Sequence, residues 1–285
     1  MASNPTTAPI LFDRALLAQR ELRALLLGPA AFLLERVLDE MEERLGAVLR
    51  DFSNVADVWT PSEALQLRLY RRLQVPVPRE AVLSAWVKET LQLAPESHDL
   101  IVSALAFQFV NDLPGVLAQI RRALKPDGLL LAAMIGGDTL TELRQSFAAA
   151  EAECEGGVSP RVAPFADLRD VGALLQRAGF ALPVTDVDRV VVRYDSAFAL
   201  MHDLRRMGAT NVLRERRRTP TRRATMLRMA QIYGDRFADA DGRIRATFDV
   251  IWLSGWAPHE SQQKPLKPGS AKASLEAAVK KTAPK

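Results

Sequence analysis

Apolar and polar residues at the start of the chain alternate with the spacing of amphipathic helices. Leucines recur at intervals of three and four residues through 12–28, and Gly28-Pro29 predicts the end of this first helix. Apolar residues gather again on one broad face of 30–45, which predicts a second helix. The chain therefore opens with two helices before any strand.

A short apolar run, 55–59, is the first candidate strand. The residues that follow it, 60–63, predict the start of a third helix. In this prediction the Thr60 side chain caps the helix, Pro61 occupies the first turn, and Glu63 completes a capping box.

The middle of the chain predicts a parallel sheet. After 81–87, which fits a strand or a helix equally, a buried strand is predicted at 99–105 and a helix at 112–124. A Pro-Asp-Gly turn at 125–128 then leads into a second buried strand at 129–134. Strand, helix and strand in this order form a βαβ unit, which places the two strands side by side and parallel.

The last third of the chain alternates helices with two further strands. Helices are predicted at 139–155 and 167–178, and strands at 184–194 and 247–253. A helical insertion, 196–237, separates the two strands. A late pair of this kind fits an antiparallel hairpin at the edge of a mostly parallel sheet.

The length of 285 residues is enough for one α/β domain with an insertion. We place this domain at 12–260, between a flexible N-terminus, 1–11, and a flexible tail rich in lysine and proline, 261–285. No run of about 18 apolar residues occurs, so a transmembrane helix is not expected. The polar first residues lack secretory and transit features, which predicts a cytoplasmic protein.

Charge and chemistry narrow the classes of function. The net charge is +4, and arginines crowd 205–228 without interleaved aromatic residues, which argues against nucleic-acid binding. The run 214–218 is interpreted as a solvated helix face that could also dock an acidic partner. Cys154 is the single cysteine, so neither an intrachain disulfide nor a cysteine-based metal site is expected, and no metal-ligand spacing links the three histidines.

Several sequence motifs, most of them in the second half of the chain, resemble those of one methyltransferase family. The family is the class I methyltransferase branch that contains the mitochondrial complex I assembly factor five and its bacterial relatives, and more distantly BioC of biotin synthesis. The resemblance covers roughly 12–272 and is strong from Asp99 onward. The motifs that show this resemblance lie at 109–114, 118–120, 124–128, 136–140, 155–160, 164–165, 175–180, 203–208 with Asn211, and 255–262.

The resemblance implies a Rossmann-like class I methyltransferase fold and an S-adenosylmethionine site along one edge of the sheet. In this family a glycine-rich loop after the first strand lets the backbone approach the ligand, an acid after the second strand binds the ribose, and an acid after the third strand meets the adenine. The corresponding positions in this chain are Asp57, Val58, Trp59, Thr60, Val87, Lys88, Ser103 and Ala104.

This chain departs from the family pattern at the cofactor loop. The glycine-rich tripeptide falls on Trp59-Thr60-Pro61, so a large ring replaces glycine and Pro61 removes a donor nitrogen. Glu63 would repel a ligand carboxylate at the helix start. The acid after the second strand has no clear counterpart in the sequence, and the adenine-contacting acid falls on Val87. Such clustered losses are typical of a lost cofactor site, although a rearranged pocket that still binds is an alternative.

Two hypotheses of function follow from the resemblance. The first is a catalytically degenerate methyltransferase-like protein, a pseudoenzyme that acts in complex I assembly by binding a subunit. The second is a working S-adenosylmethionine-dependent methyltransferase, or an enzyme that modifies arginine, with a protein substrate. Six residues are candidates for contact with substrate or partner: Gln108, Asp138, Glu142, Trp256, His259 and Glu260. Asp138 could instead stabilise a helix start. The motif around Trp256 could instead have a structural hydrogen-bonding role.

Overall fold

The computed structural model describes residues 10–80 and 88–263. The ambiguous segment 81–87 lies outside the described residues, and so does the position Val87. The predicted flexible segments, 1–11 and 261–285, lie almost entirely outside them as well.

A single sheet of six strands organises the described residues. The strands are β1 (Val55–Val58), β2 (Arg79–Glu80), β3 (His98–Ala104), β4 (Leu124–Gly136), β5 (Ala181–Tyr194) and β6 (Ile244–Trp256). Their order is β2-β1-β3-β4-β6-β5. The first four are mutually parallel, while β6 runs antiparallel to both β4 and β5. This confirms the α/β class, the βαβ unit and the antiparallel C-terminal hairpin of a Rossmann-like methyltransferase sheet.

Eight α-helices flank the sheet within the described part of the chain. They are α1 (Arg14–Leu26), α2 (Phe32–Gly46), α3 (Ala64–Leu73), α4 (Leu113–Ala123), α5 (Thr141–Glu155), α6 (Leu168–Arg177), α7 (Ala197–Arg206) and α8 (Arg223–Phe237). Helices α7 and α8 form the predicted insertion between β5 and β6. The buried side chains of α2, α3, α5, α7 and α8 cover one face of the sheet, and those of α1, α4 and α6 cover the other. Both faces of the parallel strands are thus shielded from water, as such strands require.

Local predictions fail where a tertiary contact competes with them. The expected turn at 125–128 is instead an irregular stretch of β4, because the pairing with β3 shifts register there and Asp127 takes a φ of 63°. Asp127 accepts a hydrogen bond from the Gln262 side chain at 2.8 Å, and its N–H donates to the Ala257 carbonyl at 3.0 Å. These contacts hold the stretch in the sheet.

The predicted capping box before α3 is also wrong. The helix begins at Ala64 after Glu63, and Glu63 makes no capping hydrogen bond. The Thr60 hydroxyl lies four residues earlier and is bonded to the sheet instead of the helix. A side chain that can bond to the sheet is therefore unavailable as a cap.

No described helix is long and apolar enough to cross a membrane. No group of three or more metal-binding side chains occurs at 10–80 or 88–263.

Candidate functional site

A cavity of about 770 Å³ lies at the edge of the sheet where the parallel strands end. Its floor comes from the residues that follow β1, β3 and β4. One wall is built by α1 and the start of α2, and another by the end of α7 and the loop after it. Ligands of open α/β sheets bind at this edge, so the cavity is the candidate site.

Strained backbone surrounds the cavity floor. Trp59, Leu105 and Leu140 have φ values of 63°, 51° and 54°, in the left-handed region that side chains other than glycine rarely adopt. All three line the cavity, and they follow β1, β3 and β4 respectively. Strain of this kind concentrates at functional sites, which supports a functional role for this cavity.

The loop after β1 is closed by its own hydrogen bonds. The Thr60 hydroxyl donates to Asp57 Oδ1 at 2.5 Å and accepts from the Ala104 N–H at 3.0 Å. The Ser103 hydroxyl donates to the Val58 carbonyl at 2.7 Å. These side chains and backbone groups lie in the interior, and the five residues bind one another instead of facing the cavity.

Asp57 is the charged group of this network. It is fully buried, and burial raises the pKa of its carboxyl to about 6, against the opposing effect of hydrogen bonds from Thr60. The Gln66 side chain donates to the second carboxylate oxygen. Asp57 thus joins β1, the loop and α3.

Trp59 is the first residue after β1. The side chain is only 4% exposed, and its ring forms part of the cavity floor. The Arg14 guanidinium lies 5.3 Å from the ring centroid, which places α1 against it. The ring therefore fixes the position of the loop and of α1 together.

These residues do not fit the methionine end of S-adenosylmethionine in its ordinary pose. That pose needs backbone N–H groups free to meet the ligand and a backbone without side chains beside it. Here the Thr60 and Ala104 N–H groups donate to Asp57 and Thr60, Pro61 has no N–H, and Trp59 covers the approach.

A short second strand that the sequence analysis missed lies beside β1. Strand β2 consists of only Arg79 and Glu80, and its register sets Glu80 beside Val58, at the carboxyl ends of both strands. An acid after the second strand is what the family requires. The valines of 75–78 could have indicated the approach to a strand, but the prolines among them argued for a linker.

Charged side chains stand among the apolar residues that line the cavity. Glu21 of α1 is half-buried, and burial raises the pKa of its carboxyl to about 7, against the opposing charges of Arg14 and Arg79. Arg79 and Arg205 also line the cavity. Glu21 is a candidate binding group that the sequence analysis did not identify, because the packing of α1 against the cavity is not a local feature.

The candidate contact residues fall in different places. Gln108 lines the cavity, where its amide nitrogen donates to the Leu105 carbonyl at 2.6 Å. Glu142 is buried, and its carboxylate accepts from the Thr247 N–H at 3.2 Å and from the Thr247 hydroxyl. Asp138 forms an ion pair with Arg189 at 3.0 Å. Asp138 and Glu142 do not line the cavity.

Trp256, His259 and Glu260 lie at the opposite edge of the sheet. Trp256 pairs with Leu129 near the start of β4, and the Arg50 guanidinium lies 5.5 Å from its ring centroid. His259 and Glu260 follow it and are exposed on the surface. Lys88, which lies in a different part of the chain, is also exposed. The segment 255–262 thus packs over the irregular stretch of β4, far from the cavity floor.

Comparison with known proteins supports the same fold. Residues 63–132 match the family described as "Methyltransferase domain", a match that begins after the closed loop. The chain is 47% identical over 178 residues to "Arginine-hydroxylase NDUFAF5, mitochondrial" of Dictyostelium discoideum, covering 62% of this chain and 41% of that protein. It is 43% identical over 202 residues to the Homo sapiens protein of the same name, covering 71% and 58%.

A second group of relatives carries a different name. "Malonyl-[acyl-carrier protein] O-methyltransferase" of Xylella fastidiosa is 43% identical over 169 residues, covering 59% of this chain and 55% of that protein. The chain spans 41 to 64% of the length of the NDUFAF5 relatives that it matches. The sheet order, the matched domain and these identities agree, and the chain belongs to the class I methyltransferase family, in the branch of the NDUFAF5 proteins.

Proposed function

We propose that this chain is an NDUFAF5-like protein that acts by binding a protein partner, a subunit of respiratory complex I. In this proposal S-adenosylmethionine is not bound in the ordinary pose, and the domain that binds the partner spans 12–260. The observation that carries it is the closed loop, in which Asp57, Thr60 and Ala104 use their polar groups on one another. The cavity is then free for part of the partner.

The location is part of the same proposal. We propose a cytoplasmic location for this chain, whereas the NDUFAF5 relatives carry "mitochondrial" in their names. Fractionation of the source cells with an antibody to the chain distinguishes the two.

An active enzyme is the second candidate, and two observations favour it. The cavity of about 770 Å³ is within the size range of ligand sites, and β2 ends in Glu80, where the family has its ribose-binding acid. Such an enzyme would be a methyltransferase or would modify arginine in a protein, as the name of the NDUFAF5 relatives suggests for those proteins.

Calorimetric titration with S-adenosylmethionine separates the candidates. We expect no heat of binding for the unchanged chain at millimolar ligand, with an active class I methyltransferase as positive control. The double variant Trp59→Gly, Pro61→Gly restores the spacing of the family's glycines and removes the ring, so we expect measurable binding if it folds. Micromolar binding by the unchanged chain would end the first proposal.

Partner binding is tested separately. Hydrophilic subunits of complex I from the source organism are expressed singly, immobilised, and exposed to the purified chain. Retention by one subunit, unaffected by S-adenosylmethionine, is the expected result. Retention by none, together with cofactor binding, favours the enzyme.

A further inference from the structure

Helix α1 runs antiparallel to the segment that follows α7, and the two are tied along their length. The Asp13 N–H donates to the Val212 carbonyl at 2.8 Å near the start of α1. Gly208 lies against Glu21 in the middle, where a Cβ on the glycine would come within 3.2 Å of Glu21 Cα. The Arg206 side chain donates to the Gly28 carbonyl at 2.7 Å beyond the end of the helix.

This pairing gathers four arginines, Arg20, Arg23, Arg205 and Arg216, which we call the arginine cluster. Burial and then the charges of the other three lower the pKa of Arg20, so those three lie within electrostatic reach of Arg20. Arg216 has an acidic partner, Asp13 at 3.5 Å. In the part of the chain that the structure describes, Arg20, Arg23 and Arg205 form no ion pair.

The cluster is partly buried, since Arg20 and Arg23 are half-buried and Arg205 is exposed. The Nε atoms of Arg20 and Arg23 are buried and meet no hydrogen-bond acceptor within the described residues. Arg23 holds one terminal nitrogen 3.4 Å from the Thr210 hydroxyl, and Thr210 lines the cavity, as Arg205 does. Partly buried guanidinium groups are stabilised by carboxylates, and the described residues supply none to Arg20, Arg23 or Arg205.

An apolar patch lies beside the arginine cluster. It consists of four leucines in the last turns of α1 and just after it: Leu22 and Leu25 are each 61% exposed, Leu26 81% and Leu27 47%. Leu25 also lines the cavity. A ligand that covers both features needs a row of carboxylates beside a row of apolar side chains.

We infer that the arginine cluster and the apolar patch dock an acidic amphipathic helix of a protein partner. Glutamate or aspartate side chains on that helix bind the guanidinium groups in pairs, since the planar fork of arginine matches a carboxylate. Its apolar side chains cover the four leucines. The inference rests on the proposed function only in that it gives the chemistry of the protein partner.

Two other anionic surfaces fit less well. A bilayer surface is broad, and it cannot bring carboxylate-like oxygens to nitrogen atoms that are buried at the rim of a cavity. A single-stranded nucleic acid needs aromatic side chains on which its bases stack, and the cluster consists of arginines only. The helix of a protein combines narrow width, negative charge and apolar side chains.

The probe is a fluorescein-labelled helical peptide of 18 residues, with leucine on one face and glutamate on the other. Fluorescence anisotropy with the full chain is expected to show saturable binding that weakens as salt rises. The same peptide with lysine in place of glutamate is expected not to bind. An Arg20→Gln, Arg23→Gln variant is expected to bind the glutamate peptide about tenfold more weakly. The matched control is Arg71→Gln, Arg72→Gln, which removes the same charge from an exposed part of α3.

Thermal unfolding distinguishes a binding role of Arg20 from a purely structural one. Arg20→Met removes a partly buried guanidinium from like charges and keeps the side-chain volume. The midpoint of unfolding is expected to stay the same or rise while peptide binding falls. A large loss of stability would show that Arg20 holds the fold and would overturn the inference for this residue.

Three outcomes would overturn the docking inference as a whole. Equal binding by the cluster variant and the control variant would remove the role of the arginines. Stronger, cluster-dependent binding to vesicles of anionic lipid would assign the surface to a membrane, and the same result with a DNA duplex would assign it to nucleic acid. None of these results depends on S-adenosylmethionine, so failure here is distinct from failure of the proposed function.

Discussion

Asp57 shows how one buried carboxylate can hold a loop closed. In the sequence it matches the acid at the end of the family's first strand, and in the structure it is fully buried. Its carboxylate accepts hydrogen bonds from Thr60 and Gln66, which belong to the loop and to α3. Asp57 therefore stabilises a closed loop.

The burial of Asp57 predicts a dependence of stability on pH. Its pKa rises from 3.8 to about 6 in the folded chain. Between these values the folded chain binds the proton more tightly than the unfolded chain does, so the free energy of unfolding falls as pH rises through this window. The fall amounts to about 3 kcal/mol and levels off above the folded pKa.

Denaturant unfolding at several pH values from 4 to 7 measures this effect against an Asp57→Asn variant. The variant is expected to lose the fall, because Gln66 can turn its carbonyl toward the new amide. Asp51→Asn, at an exposed position in the same region, is the control and is expected to retain it. A Asp57→Asn variant with an unchanged pH profile would refute the raised pKa.

At the scale of elements, Glu142 connects helix α5 to strand β6. Its carboxylate accepts from the backbone and the hydroxyl of Thr247, and all of these groups are buried. Glu142→Ala is expected to lower the free energy of unfolding by about 2 kcal/mol, since the Thr247 donors lose their acceptor. Urea unfolding measures the change.

Glu43→Ala is the control for Glu142, because Glu43 is exposed on α2 and has no ion pair within the described residues. Its effect is expected to stay within about 0.5 kcal/mol. Equal losses for the two variants would mean that the contact with Thr247 contributes nothing specific. Glu142 was a candidate contact residue in the sequence, and its burial gives it a structural role that this pair of variants tests.

Elements were predictable from sequence where their signals are local. The βαβ unit follows from apolar runs and the helix start at Asp112, whose side chain accepts from the Gly115 N–H at 2.9 Å. Strand β2 was missed because two residues carry no periodicity and become a strand only by pairing with β1. Thr60 was misassigned as a cap because its partners, Asp57 and Ala104, include one more than 40 residues away.

At the scale of the molecule, α1 should be less protected than the sheet. One side of α1 faces the cavity, and its last turns expose the apolar patch. Local unfolding of α1 therefore costs less than unfolding of β3, which is buried within the sheet. Hydrogen exchange followed by mass spectrometry is expected to show amides of Arg14–Leu26 exchanging at least about tenfold faster than those of His98–Ala104.

A ligand bound to the arginine cluster and the apolar patch is expected to slow the exchange of α1 and leave β3 unchanged. The glutamate-leucine peptide described above provides such a ligand, and its lysine counterpart is the control. Equal exchange rates in α1 and β3 without ligand would contradict the prediction, since α1 would then belong to the cooperative core.

The fold of the whole molecule was predictable, and the candidate site was predictable only in part. Sequence motifs identified the family, and the loss of glycine at Trp59 and Pro61 is visible without a structure. The hydrogen bonds that close the loop were not predicted. The cavity wall was not predictable, since Glu21 and Arg205 both line the cavity only because α1 packs against the segment after α7. Such contacts join residues far apart in the chain and leave no periodic signal.

The position of β6 between β4 and β5 has a consequence for synthesis on the ribosome. Strand β5 is made some 50 residues before β6, its neighbour in the sheet, and among the described residues β5 pairs with no other strand. Until β6 emerges, β4 has one unpaired edge and β5 has none paired, and unpaired edges invite pairing with other chains. Helices α7 and α8 are made in that interval, so the insertion prolongs the time during which a nascent chain depends on chaperones.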